Sequence, residues 1–581
     1  MKLRAFRFYF LSVLCASVVN AFALDREAFT FTNYDLNVRV EPEQQRLGVR
    51  GKITLRNDSQ TPQKIAVLQI SSSLDWRSIK AGGKPLQFVA QPYTSDIDHT
   101  GALSEAIVTL PEAVPPKGTV ELEIAYEGVI VLDATRLTRI GTPEDAARGT
   151  DWDQISAKFT AVRGAGYVAW YPIATEEADL SEQNNLFDVV GRLKAREAAS
   201  KMHFRIEETS AGTPPQILIS GDMCNVTMIE QMGLAHLASV DCEPMWLGPI
   251  VPTLVIASYA VLERPDITVR YFYGHDAAAT AYAEAAEQAT PFIIEWFGTL
   301  HKKAQTTDLA DPHASPVENG AFLLTPLTSV DPKLAGLIAA HQLTHAAFSS
   351  PRLWIDEGLA HFAQALYLEQ QKGRQAALDY MASHRSALSA VESDKERQTT
   401  APRSEDEVKR SLINTYDEEL YRSKAMCVWW MLRDMIGDQA LKKALAAYHP
   451  EQDKEPSYMP RLIQAQTQRD LEWFFDDWVY RDRGLPDFKV ESAFPRKTMT
   501  DEYLVTVTVA NLGRAGAEVP VTVKFAGGEI TKRIEVRGNS KSVIRVEIAK
   551  PPQEIVVNDG SVPESDMTNN VFKVEASNVA K

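Results

Sequence analysis

Residues His341-Gln-Leu-Thr-His345 and Trp354-Ile-Asp-Glu357-Gly-Leu-Ala, parted by Ser349-Ser-Pro351, constrain this chain more than any other feature. On a helix, residues four apart lie on one face, so His341 and His345 would present two imidazoles side by side. Asp331-Pro332 supplies a start for that helix, a capping carboxylate followed by a proline at the first helical position. The helix is expected to run to about Phe348, where Ser-Ser-Pro breaks it. A second helix is expected from near Trp354 to the Gly373 stop. If that turn folds the second helix back on the first, Glu357 meets the two histidines. Two imidazoles and one carboxylate, with a fourth corner left open, form the ligand set of catalytic zinc. His341, His345 and Glu357 are therefore the expected metal ligands. His361, one turn beyond Glu357, reads first as an ordinary partly buried histidine, with a partner behind the ligands or a substitute base as the alternatives.

One residue breaks the pattern. In a helical His-Glu-x-x-His the glutamate is the general base, and here Gln342 holds that place. A carboxamide cannot accept a proton from water. General acid–base catalysis contributes about 10²–10⁴-fold, so turnover should fall by at least that order. Bound zinc would still polarise a carbonyl. Glutamine has nearly the shape of glutamate, so fold and metal site are expected to tolerate it. Two readings stand together: a slow zinc metallopeptidase, and a zinc-holding protein that binds peptides or a protein partner without cleaving them.

A chain of 581 residues is too long for one core and is expected to form several domains. Lys2, Arg4 and Arg7, then the apolar run Phe8 to Val19, then Ala21-Phe-Ala23, read as a secretory signal cleaved after Ala23. A secreted or periplasmic location follows. No later apolar run is long enough to span a bilayer. The formal charge of −16 argues against nucleic acid as a partner. Cys224 and Cys242 bracket a short segment and suit either a disulfide or two thiols, whereas Cys427 lies in an apolar helical stretch and reads as core.

The fold class expected is α+β and multidomain. From Phe29 to about Phe204, alternating segments such as Tyr34-Asp-Leu-Asn-Val-Arg-Val40 and Val120-Glu-Leu-Glu-Ile-Ala-Tyr126 predict an antiparallel β domain over residues 24–204. Strand character continues through 205–275. Helical signals dominate 276–486, with Pro291 expected to kink or split the helix around it. The polar stretch 391–411 reads as a loop or lid. After Gly484-Leu-Pro486, alternating strands predict an Ig-like β-sandwich over 487–581. Within it, the turn-rich Asn558–Asn570 reads as a hairpin connection, with calcium binding as the alternative.

The metal motifs resemble those of the alanyl aminopeptidase family of gluzincin (thermolysin-like) zinc peptidases. Those proteins carry His-Glu-x-x-His on one helix and Asn-Glu-Gly-Phe-Ala on the next, and the counterparts here are His341–His345 and Asp356–Ala360. Asn33-Tyr-Asp-Leu-Asn-Val-Arg-Val-Glu-Pro resembles that family's first β domain. Leu471-Glu-Trp-Phe-Phe-Asp-Asp-Trp478 and Gly484-Leu-Pro486 resemble the close of its helical domain. The resemblance spans roughly residues 30 to 490 and implies a peptide substrate. It implies substrate-binding roles for Glu318 and Asn319, which match the end of the family's Gly-x-Met-Glu-Asn motif, with Glu318 holding a substrate ammonium. It also implies that Tyr421, in Tyr421-Arg-Ser-Lys-Ala425, donates to the developing oxyanion, with Tyr416 as a competing candidate. The chain departs from the family at Gln342, in the shorter link between His345 and Glu357, and in the degraded amine-binding motif.

Overall fold

The computed structural model describes residues 24–174, 177–181, 186–198, 200–247, 251–398 and 411–574. The expected signal segment lies outside them. Among the described residues, no helix is long and apolar enough to cross a membrane.

The N-terminal half is β-rich, as its alternating sequence requires. Its largest sheet has nine strands, with Phe29–Glu41 and Arg46–Asn57 near the middle. The sheet is mixed rather than purely antiparallel, because Phe29–Glu41 pairs in parallel with Lys201–Ala211. It also extends to Met245–Trp246, well past residue 204. A smaller sheet, Gln63–Ser71, Ala102–Val114 and Phe88–Thr94, belongs to the same region. Cys224 and Cys242 are joined by a disulfide at the base of an exposed hairpin.

A five-stranded sheet then begins at Ala260–Glu263 and continues through Ile267–Tyr271, Ala304–Asp308, Phe322–Thr325 and the edge strand Val317–Asn319. The helix Asp276–Phe297 is the crossover between the parallel strands Ile267–Tyr271 and Ala304–Asp308. The change of character near residue 276 therefore falls inside a βαβ unit. Pro291 does not split this helix, which runs through it unbroken. The lost hydrogen bond is outweighed by burial of Phe292, Ile293, Trp296 and Phe297 just beyond.

The histidine helix, Pro332–Ala347, packs against Asp276–Phe297 on one side and against the second helix, Leu353–Lys372, on another. Asp331 caps it by accepting from the Lys333 amide at 2.9 Å. The second helix ends at Gly373, whose φ of 86° lies in the left-handed region. Residues 391–398 belong to the helix Arg385–Gln398, and the rest of the expected lid up to 410 lies outside the described residues. At the C-terminal end two sheets face each other: Phe488–Lys497, Tyr503–Asn511 and Ser540–Ile548, against Gly528–Val536, Ala517–Phe525, Pro552–Val557 and Val571–Lys573. This is the expected sandwich, and its core is continuous with that of the helical region. The molecule is α+β throughout, with a β-rich start, a helical middle and a β-sandwich end.

Candidate metal centre

The Ser-Ser-Pro turn folds the second helix back as the sequence requires. Asp356 fixes the turn, accepting from the Ser350 amide at 2.8 Å through Oδ1. Its Oδ2 lies 3.5 Å from His345 Nδ1 and so orients that imidazole. The other ring nitrogen, His345 Nε2, faces His341 Nε2 at 3.3 Å. That spacing equals the edge of a tetrahedron with bonds of about 2.0–2.1 Å. Glu357 closes the triangle, with Oε2 3.7 Å from His341 Nε2 and Oε1 3.8 Å from His345 Nε2. Both histidines are 5% exposed. The nitrogens and the carboxylate suit zinc in number, type and spacing.

Glu318 joins the group from the edge strand. Its Oε2 lies 3.2 Å from His341 Nε2, and its carboxylate, His341 and His345 offer donor atoms all within 4.8 Å of one another. Asn319 does not face the donors. It is buried, and its amide donates to the Val251 carbonyl at 2.8 Å, tying the strand to the preceding domain. His361 also reaches this group: its ring is 4.7 Å from that of His341, its donor lies within 4.8 Å of donors on His341 and Glu357, and its buried Nδ1 lacks a hydrogen-bond partner.

The charges here are strongly coupled. Burial opposes a proton on His345, yet the carboxylates of Asp356, Glu357 and Glu318 raise it to about 9. Burial and the charge of His345 push His341 down to about 3. Glu357 is held below the usual carboxylate range against its own burial, by His345, Arg422 and His341. Burial lifts Glu318 to about 8.

Gln342 is turned away from the donors and fully buried. Its Nε2 donates to the carbonyls of Gln305 and Ala321, each at 3.0 Å. Its Oε1 accepts from Tyr282 Oη at 2.9 Å and from Thr306 Oγ1 at 3.1 Å. Two carbonyls on one end and two hydroxyls on the other fix which end is the amide nitrogen. The two carbonyls need a donor, which an amide supplies and an ionised carboxylate lacks.

Tyr421 and Arg422 lie on a π-helical turn, Glu419–Lys424, directly before the helix Ala425–Ile436. Tyr421 is largely buried and its hydroxyl donates to Glu418 at 3.3 Å. Burial raises its pKa. Arg422, which the sequence reading left without a role, places Nε 3.6 Å from Glu357 Oε2 and donates to Glu418 Oε2 at 3.2 Å. No spacing rule links it to the histidines, because the contact depends on how two distant helices pack. Gly358 permits that packing: a Cβ there would stand 2.7 Å from Ala425 Cβ. Tyr416 lies against Gly191 of the N-terminal half, whose absent Cβ would stand 2.5 Å from Tyr416 Cβ.

Two helices bring a His-x-x-x-His pair and a following glutamate to one point beside a mixed sheet, the ligand pattern of zinc sites with two histidines and one glutamate. Residues 342–478, from inside the histidine helix to Trp478, match the Peptidase family M1 domain. Those residues are thus similar to a domain of that peptidase family. Aminopeptidase A of Legionella pneumophila, solved in complex with aspartic acid, has a similar fold at 11% identity and a TM-score of 0.58, over 92% of this chain and 59% of that one. The M1 zinc metallopeptidase of Deinococcus radiodurans aligns at 16% identity and a TM-score of 0.46, over 76% of this chain and 90% of that one. No curated protein matches the sequence.

Proposed function

We propose that this chain is a secreted zinc metallopeptidase of the aminopeptidase type that hydrolyses peptides slowly. His341, His345 and Glu357 hold the metal, which supplies Lewis-acid polarisation of the scissile carbonyl. Tyr421 donates to the developing oxyanion after releasing Glu418. The observation that carries the low rate is the state of Gln342, whose four hydrogen bonds occupy both ends of its amide and leave no carboxylate at the base position. The Cys224–Cys242 disulfide supports an oxidising compartment, in keeping with the signal-like start.

Zinc content and turnover of a mixed peptide library by the purified chain test this reading. Slow cleavage that a chelator abolishes and zinc restores is the expected result. Stoichiometric zinc with no cleavage would instead establish the second reading, a pseudopeptidase that binds peptides, which the approach of Glu318 to His341 favours.

A further inference from the structure

We propose that the strand Asn225–Met232 is a docking edge for a second copy of this chain, where two chains join their nine-stranded sheets into one. This goes beyond the peptidase reading and does not depend on it.

The first argument is the open edge. Among the described residues, the strand is the last of its sheet, with Ala235–Asp241 as its neighbour on one side only. Its outer N–H and C=O groups form a row ready to pair with another strand, and natural edges are usually blunted by lysine, proline or a bulge. Asn225–Met232 contains no Lys, Arg or Pro, and its one charged residue is Glu230. A bulge between Val226 and Met228 disturbs the end near the disulfide and leaves Met228–Met232 regular. The Cys224–Cys242 bond ties the hairpin at its base.

The second argument is the apolar surface. Val226 pairs with Val240 and Ile229 with Ala238, so each pair shares one face of the sheet. Val240 and Ala238 are 4% and 3% exposed, whereas Val226 and Ile229 are 59% and 55% exposed. The core-facing apolar row thus runs one strand beyond the body of the protein. Met228 and Met232 are exposed on the opposite face, and Leu234 at the tip is 93% exposed. Apolar exposure concentrated in this way marks an interaction site.

Charge and symmetry select the occupant. In a two-fold antiparallel pair, facing residues mirror one another about a residue on the axis. Centred on Ile229, the register sets that residue against its copy and Glu230 against Met228, so no like charges meet. A chain of formal charge −16 repels its own copy at long range, and this nearly neutral edge is where contact costs least.

Sedimentation velocity of the full chain over a concentration series, at low and high salt, tests this. A reversible dimer that tightens at high salt, where the net charge is screened, is the expected result. Ile229→Lys and Ile229→Glu should each weaken it about tenfold or more, since like charges then face each other. An equimolar mixture of the two variants should recover a heterodimer, which a damaged hairpin would not do. A wild-type chain that stays monomeric throughout would overturn the proposal, as would a dimer that both variants leave unchanged or a mixture that fails to recover. A monomer that floats with phosphatidylcholine vesicles, and loses this in Ile229→Lys, would also overturn it and assign the edge to a lipid surface.

Discussion

At the scale of single residues, Gln342 is the position where chemistry and architecture conflict. Replacing it with glutamate would set a carboxylate oxygen against the carbonyls of Gln305 and Ala321 and remove two donated hydrogen bonds. Leaving buried groups unpaired in this way costs about 2–5 kcal/mol. Gln342→Glu should therefore lower the thermal midpoint clearly and leave zinc-loaded turnover far below that of an ordinary peptidase, as melting curves and kinetics on one preparation would show. The convergence of His341, His345 and Glu357 was legible from spacing, because i,i+4 geometry and a forced turn are local properties. The orientation of Gln342, the approach of Glu318 and the contact from Arg422 were not, since each depends on strands and helices that meet only after folding.

Among the elements, the π-helical turn is held by a buried ion cluster. Lys424 Nζ donates to Glu392 at 2.6 Å and to Asp482, and lies 5.5 Å above the Trp478 ring. Removing the ammonium would leave two carboxylates facing each other in the interior. Lys424→Ala should cost about 3–5 kcal/mol in denaturant unfolding. In the C-terminal sandwich, Glu564 ties the Asn558–Asn570 segment together. Its oxygens accept from Asn558 Nδ2 at 2.6 Å, from Asn570 Nδ2 and from the Phe488 amide at 3.0 Å. Burial, with a contribution from Asp487, raises Glu564 to about 7 from an ordinary 4.5. Because the folded pKa is the higher, the contribution is full below about pH 4.5 and is lost as pH rises toward 7. Its size is at most about 3 kcal/mol. Glu564→Gln should flatten the stability profile over that window, as denaturant midpoints at several pH values would reveal. The strands of this sandwich were readable from alternation, but the partners of Glu564 come from separate segments that no periodicity connects.

Across the whole molecule, the sequence announced β, then α, then β, and the changes near 276 and 486 follow its changes of period. What it could not announce is the parallel pairing of Phe29–Glu41 with Lys201–Ala211, a contact between segments far apart in the chain. The helical region is joined to the sandwich by Trp478 Nε1 donating to the Gly516 carbonyl at 2.7 Å and by the Gly516 amide donating to Asp477 at 2.9 Å. The cores behind these contacts are continuous, so the C-terminal sandwich should unfold together with the helical region. Calorimetry should show one transition for the two, and two well-separated transitions would count against that coupling. The N-terminal hairpin is stapled separately. Reducing Cys224–Cys242 should remove about 3 kcal/mol from its local stability, measurable by hydrogen exchange.

The hydrogen bonds of Gln342 are anchored in the main chain as well as in side chains. Two of its four partners are main-chain carbonyls, and every amino acid has one. No substitution at position 305 or 321 can take those acceptors away. The amide therefore ties the histidine helix to the strand Ala304–Asp308 and to the turn before Phe322–Thr325 through groups that no side-chain change can remove. A glutamate in the same rotamer would face both carbonyls with no proton to offer unless it were itself protonated.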